Sequence, residues 1–174
     1  MPAHGEHPVE SRQVEFPLAL IATGQAKPGE DECTFRRIGG SVTAMLTLID
    51  VSNATRDATD GLPGDLCYPG SSLAEQLQAA LPDTLVVKTL NTMLFAVMTA
   101  PDTLAVPPTV YVSGDDEGAK KTVTGLLGDL GWQPERIEDL GDITTARATE
   151  AMILVVPHIL RRHGFKPFAV SLAR

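Results

Sequence analysis

The run Val42–Val51 (VTAMLTLIDV) is almost unbroken in apolar and β-branched residues. A strand buried on both faces of a parallel sheet has this pattern. Thr84–Thr89 and Thr109–Ser113 have the same character, and Ile137–Leu140 is a shorter piece of it. Near the front, Phe16–Thr23 is an apolar run of strand length, and Cys33–Ile38 is a further extended piece. Between these runs the period changes. Ser71 and Ser72, with Glu75 just beyond, form a capping box, and the helix they open stops at Pro82. Asp115 and Asp116 complement the N-terminal dipole of a second helix that runs to Leu130, with Gly131 as its stop. Thr144–Arg162 predicts a long apolar helix that Pro157 kinks or ends. Asn91–Met98 is a short helix or turn, while Gly24–Glu32, Ser52–Gly70 and Pro101–Pro108 are loops. Strands alternating with helices predict an α/β fold, a mostly parallel sheet with helices on both faces.

Composition narrows the function. A chain of 174 residues makes one compact domain, here residues 16–174, behind a poorly ordered leader, residues 1–15. Its net charge of −8 repels nucleic acid and anionic lipid, so neither is an expected partner. No apolar run approaches the roughly 18–20 residues that span a bilayer, and the leader is not a secretory signal. A cytoplasmic location follows as the expectation. Cys33 and Cys67 form no metal or redox spacing and read as reduced thiols. His4 and His7 sit in the leader with no second cluster, so no metal site is expected.

Several residues could carry chemistry. Asn53 and Asn91 end strand segments, where they either face a ligand or satisfy turn backbone. Lys88 interrupts an apolar strand, as a donor into a cleft or as a lysine that snorkels at a sheet edge. Asp50 and Asp142 are acid–base groups if desolvated, and caps otherwise. Tyr68 lies in the long Gly/Pro loop and is placed to line a pocket. His158 follows Pro157 and reads as an acid–base residue or as a partly buried structural histidine. The segment Ala151–Leu160 is apolar nearly all round and predicts burial against a second copy, a homodimer.

A resemblance then appears in order and spacing. Asp50-Val51-Ser52-Asn53 resembles the D-x-[ST]-N-P turn of the deazaflavin-dependent NADP oxidoreductases. Ser71–Glu75 resembles that family's S-x-A-E helix start, and Val86–Thr92 its V-V-K-A-F-N-T segment. Ser113–Asp116 resembles its G-D-D turn, Leu130–Trp132 its L-G-[WF], and Ala146–Glu150 its A-R-x-L-E helix. The match covers residues 48–150. It implies a Rossmann-like fold and an ancestry in hydride transfer between NADP and a deazaflavin, with Asn53 and Asn91 along the cofactor cleft.

The front of the chain departs from that pattern. The only candidate for the family's G-x-G-x-x-G turn is Ala22–Lys27, where Gly24 alone fits, and Pro28, Gly29, Glu30, Asp31 and Glu32 follow. Close backbone approach to a pyrophosphate needs glycines and a helix N-terminus. Ala54 also stands where the family's turn has proline. The expectation is a truncated or modified Rossmann-like enzyme that works with no cofactor. It would cyclise, rearrange or isomerise an apolar small molecule with Asn53, Asn91, Lys88, Tyr68 and His158. The alternatives are an NADP- or deazaflavin-dependent oxidoreductase with phosphate contacts from Arg36 and Arg37, and a non-catalytic binding module.

Overall fold

The computed structural model describes residues 18–21, 25–26 and 46–173. The leader, Arg36, Arg37 and most of the candidate phosphate turn lie outside the described residues. Within them, the apolar runs form the expected sheet. Strand β1 (Leu18–Ile21) pairs parallel with β3 (Leu46–Asp50), and β3 pairs parallel with β6 (Thr84–Thr89). Strand β7 (Val110–Ser113) then joins β6 antiparallel, and β8 (Ile137–Gly141) lies parallel to β7. The sheet order is β1-β3-β6-β7-β8, so it is mixed and mostly parallel. The β6–β7 junction is short, Lys88 opposite Ser113 and Thr89 opposite Val112. Gln78 takes up backbone groups of β6, donating to Thr84 O at 2.8 Å and accepting from Val86 N at 3.1 Å.

Alternation along the strands sorts the core into two layers. Leu48 and Val86 face one side with Leu73, Ala74 and Leu77 of helix α1 (Leu73–Ala80), together with Ile143 and Ala146. Ile49 and Val87 face the other, with Ala119, Val123 and Leu127 of α3 (Glu117–Asp129) and with Trp132. Between them in the chain, α2 (Phe95–Met98) adds Val97 to that second layer. Trp132 is buried and donates through Nε1 to Met98 O at 3.0 Å.

The caps are the ones the sequence signals. Ser72 Oγ accepts from Glu75 N at 3.1 Å and donates to Glu75 Oε2 at 2.9 Å. Asp116 accepts from Ala119 N at 2.7 Å at the head of α3. Gly114 is required by close approach. A Cβ there would stand 2.9 Å from Val86 O.

Three expectations change. The stretch Ser52–Gly70 is not a plain loop. It holds a hairpin, β4 (Thr55–Asp57) and β5 (Pro63–Leu66), which forms a small sheet with the two-residue strand β2 (Gln25–Ala26). Cys67 is disulfide-bonded rather than a free thiol. The last helical stretch runs from Ile143 to His163 and, at 21 residues with a mean hydropathy of 1.2, is long and apolar enough to cross a membrane by length and composition. Its first half is built into the sheet instead, with Ala146, Thr149 and Glu150 buried. That stretch is segmented into α4 (Ala146–Ala151), a 3-10 turn (Met152–Val155) and α5 (Val156–His163), so Pro157 sits in a first turn, which tolerates it. In the single chain the 3-10 turn leaves Leu154 and Val155 40% and 41% exposed.

Candidate functional site

Strands β3 and β6 are parallel neighbours, and both chains turn just past their C-terminal ends, where open α/β sheets place ligands. The first turn is fixed by Asp50, whose Oδ1 accepts from Ser52 N at 2.9 Å and Ser52 Oγ at 2.6 Å. The second contains Leu90 at φ 60°, a left-handed value unusual for a residue with a branched side chain. Such backbone conformations cluster at functional sites. These two turns bring Asn53 and Asn91 together. Asn53 Nδ2 donates to Asn91 O at 2.8 Å, and Asn91 Nδ2 donates to Asn53 Oδ1 at 2.9 Å. The pair cross-links the strand ends.

Lys88 does not reach into a cleft. The strand alternation that places Leu48 and Val86 on one face puts Asp50 and Lys88 there too, beneath α1 and α4. Lys88 is 1% exposed and its Nζ lies 2.8 Å from Asp50 Oδ2 and 2.8 Å from Glu150 Oε1. It also donates to Ser52 O. Glu150 in turn accepts from Leu73 N at 2.9 Å and Ala74 N at 3.3 Å, the first amides of α1. Two buried carboxylates share one ammonium, and the positive end of α1 offsets the remaining negative charge. This triad holds the Asp50–Asn53 turn from below, so Lys88 and Asp50 position the site rather than line it.

Tyr68 is half-buried and packs against the Leu48–Val86 layer. His158 is exposed beside buried Pro157, not partly buried. Asp142 is a cap. The Thr144 hydroxyl and amide bound to its carboxylate hold it below the usual range.

Other residues at this edge carry no motif. The segment Phe168–Val170 lies along Thr92–Leu94, with Val170 N donating to Thr92 O at 2.8 Å and Leu94 N donating to Phe168 O at 3.0 Å. A cavity of about 110 Å³ opens beside the pair, lined by Asn91, Thr92, Phe95, Met152, Val156 and Phe168 among others. The hydroxyls of Thr89 and Thr92 are buried without a hydrogen-bond partner among the described residues. The Met-rich segment Asn91–Met98 divides, with Met93 and Val97 in the core and Leu94 and Phe95 on the cavity.

No protein-family model and no curated protein matches the chain. A solved structure does. A protein from Arthrobacter sp. FB24, described as a proposed F420-dependent NADP reductase, is 40% identical, with a TM-score of 0.68. The chain is related to that protein and shares its Rossmann-like fold. The match covers 75% of it, and it spans 59% of that relative's length. A hypothetical protein from Sinorhizobium meliloti is 30% identical, covering 60% of this chain and 50% of that one at a TM-score of 0.47. The likeness to the Arthrobacter protein corrects the expectation of a reductase-like Rossmann protein that works with no cofactor, because that relative is named for both F420 and NADP. No observation supports a cyclase or isomerase role, and the loss of a phosphate turn falls largely on residues outside those described.

Proposed function

We propose that this Rossmann-like protein is an oxidoreductase that moves hydride at the edge carrying Asn53 and Asn91, with a nicotinamide nucleotide or a deazaflavin as cofactor. The observation that carries the reading is the 40% identity to the Arthrobacter protein over 75% of this chain, with the asparagine pair at the ligand-binding end of two parallel strands. Such a cofactor supplies a hydride donor or acceptor when bound. The donor set fits its ring end. The pair carries amide donors and acceptors of the kind that recognise a ring carboxamide or ring carbonyl. Its crossed hydrogen bonds fix both amides before any ligand arrives, which lowers the reorganisation needed at reaction. The Lys88 triad and the turn at Asp50 hold that geometry from inside the sheet. Apolar walls at the adjoining cavity exclude water from a transferring hydride.

A small-molecule substrate, a homodimer that covers the exposed Leu154–Val155 turn, and a cytoplasmic location belong to the same proposal. The disulfide at Cys67 is unusual for a reducing compartment, so the thiol count of freshly made protein bears on the location. The test of function is isothermal titration with NADPH and with NADP at low salt. Micromolar binding of either is the expected result. No heat from either nucleotide, and none from a deazaflavin, overturns the reading.

A further inference from the structure

We propose that a second groove at this edge binds the carboxylate of a small, otherwise apolar acid, with Arg136 as its anchor. The position follows from the strand directions. Strand β7 runs antiparallel to β6, and β8 runs parallel to β7. The N-terminal ends of β7 and β8 therefore stand at the same edge as the C-terminal ends of β3 and β6. Pro107 and Pro108 lead into β7 there, and the 3-10 turn Pro134–Arg136 leads into β8. The segment Phe168–Leu172 passes the same place. Phe168 and Val170 line the cavity beside Asn91, while Ala169, Ser171 and Leu172 line a separate groove of about 300 Å³.

The makeup of that groove points to one ligand chemistry. Leu104, Val106, Pro107, Pro108 and Leu172 give it apolar walls. Arg136 is the one charged residue in its lining, and no carboxylate lies there to neutralise it. Arg136 is half-buried, yet its guanidinium makes no ion pair and no hydrogen bond among the described residues. The buried cations are paired by contrast, Lys88 with Asp50 and Glu150, and Lys120 with Glu117 and Asp139. A guanidinium is a planar fork of donors that matches a carboxylate in two parallel bonds. Ser171 adds a second donor. Its Oγ accepts from Thr109 N at 2.7 Å, and its own proton has no acceptor among the described residues. Phosphate suits the groove less well, because its charge needs donors on several sides and the remaining walls are apolar. The volume stands at the lower end of small-ligand sites, the size of a single ring or a short chain. The inference goes beyond the hydride-transfer reading and needs no nucleotide.

The experiment is fluorine NMR titration of the full chain, without nucleotide, using 4-fluorobenzoate and its neutral isostere 4-fluorobenzamide. The expected result is that the acid binds about tenfold tighter than the amide, the low end of what a hydrogen bond to a charged group contributes. Arg136→Gln removes the charge and brings the two affinities to within about twofold. Val106→Asp puts a carboxylate on the wall at an exposed position, where the fold does not depend on it, and weakens binding of the acid about threefold or more. An equal concentration of inorganic phosphate leaves the acid bound. Equal affinities in the unmodified chain, a preference that survives Arg136→Gln, an acid affinity unchanged by Val106→Asp, displacement of the acid by phosphate, or no binding of either probe overturns the proposal. Each of those results leaves the nucleotide titration to decide the hydride-transfer reading on its own.

Discussion

Lys88→Met tests the buried triad. The change keeps the length of the stem and removes only the ammonium, so little packing is lost. It leaves Asp50 and Glu150 facing each other in the core, 1% and 3% exposed, with no cation between them. Removing one partner of a buried ion pair costs about 3–5 kcal/mol. Against a total stability of roughly 5–15 kcal/mol, that is a large share. With a urea slope of about 2 kcal/mol per molar, a loss of about 4 kcal/mol moves the midpoint down by about 2 M. The assay is equilibrium urea unfolding followed by Trp132 fluorescence. The triple variant Lys88→Met, Asp50→Asn, Glu150→Gln removes the stranded charges and should recover more than half of the loss, because the single-site effects are coupled. A single variant within about 1 kcal/mol of the unmodified chain would refute the assignment of Lys88 to a buried, paired role.

Three further outcomes follow. Glu75 is held below the usual carboxylate range, first by the side-chain hydrogen bond from Arg147, which lies 2.5 Å away. Its stabilising contribution is complete above the unfolded value of 4.5 and is lost as pH falls through the lower folded value, so Arg147→Leu should flatten the acid limb of the melting-temperature profile below about pH 4.5. Gly114→Ala drives a Cβ to within 2.9 Å of Val86 O and should lower stability by about 1–3 kcal/mol in the same urea assay. Thiol titration of the denatured, unreduced chain should find no reactive Cys67, and a full thiol equivalent from that residue would remove the disulfide from the fold.

The strands and caps were legible because their signals are local. Thr84–Thr89 is read from β-branched residues alone and is a strand over that span. Ser72 and Glu75 announce α1 because the capping bonds are made within one turn. The hairpin inside Ser52–Gly70 was missed because its strands are three and four residues long, too short for a period to show. The direction of β7 has no local signal either, since a buried strand has the same composition whichever way it runs. Asn53 and Asn91 were named from their places at strand ends, yet their mutual bonds depend on the parallel register of β3 and β6. Lys88 was named for an interrupted apolar run, but its role depends on Glu150, 62 residues away in sequence. Thr92, Met152 and Phe168 meet only through the packing of three distant segments, and no periodicity marks them.

The short junction between β6 and β7 divides the sheet into two packets, β1-β3-β6 and β7-β8, joined along the backbone over two residue pairs. What spans the seam is side-chain burial, since Ile49 and Val87 on one packet share a layer with Val110 and Val112 on the other. The segment Phe168–Leu172 stitches the same gap, tied to Thr92 on one side and to Thr109 on the other. A seam held by apolar contact weakens on cooling, whereas a ladder of hydrogen bonds does not rely on that driving force. The chain thus carries a built-in line of cold sensitivity, running beside its ligand-binding edge.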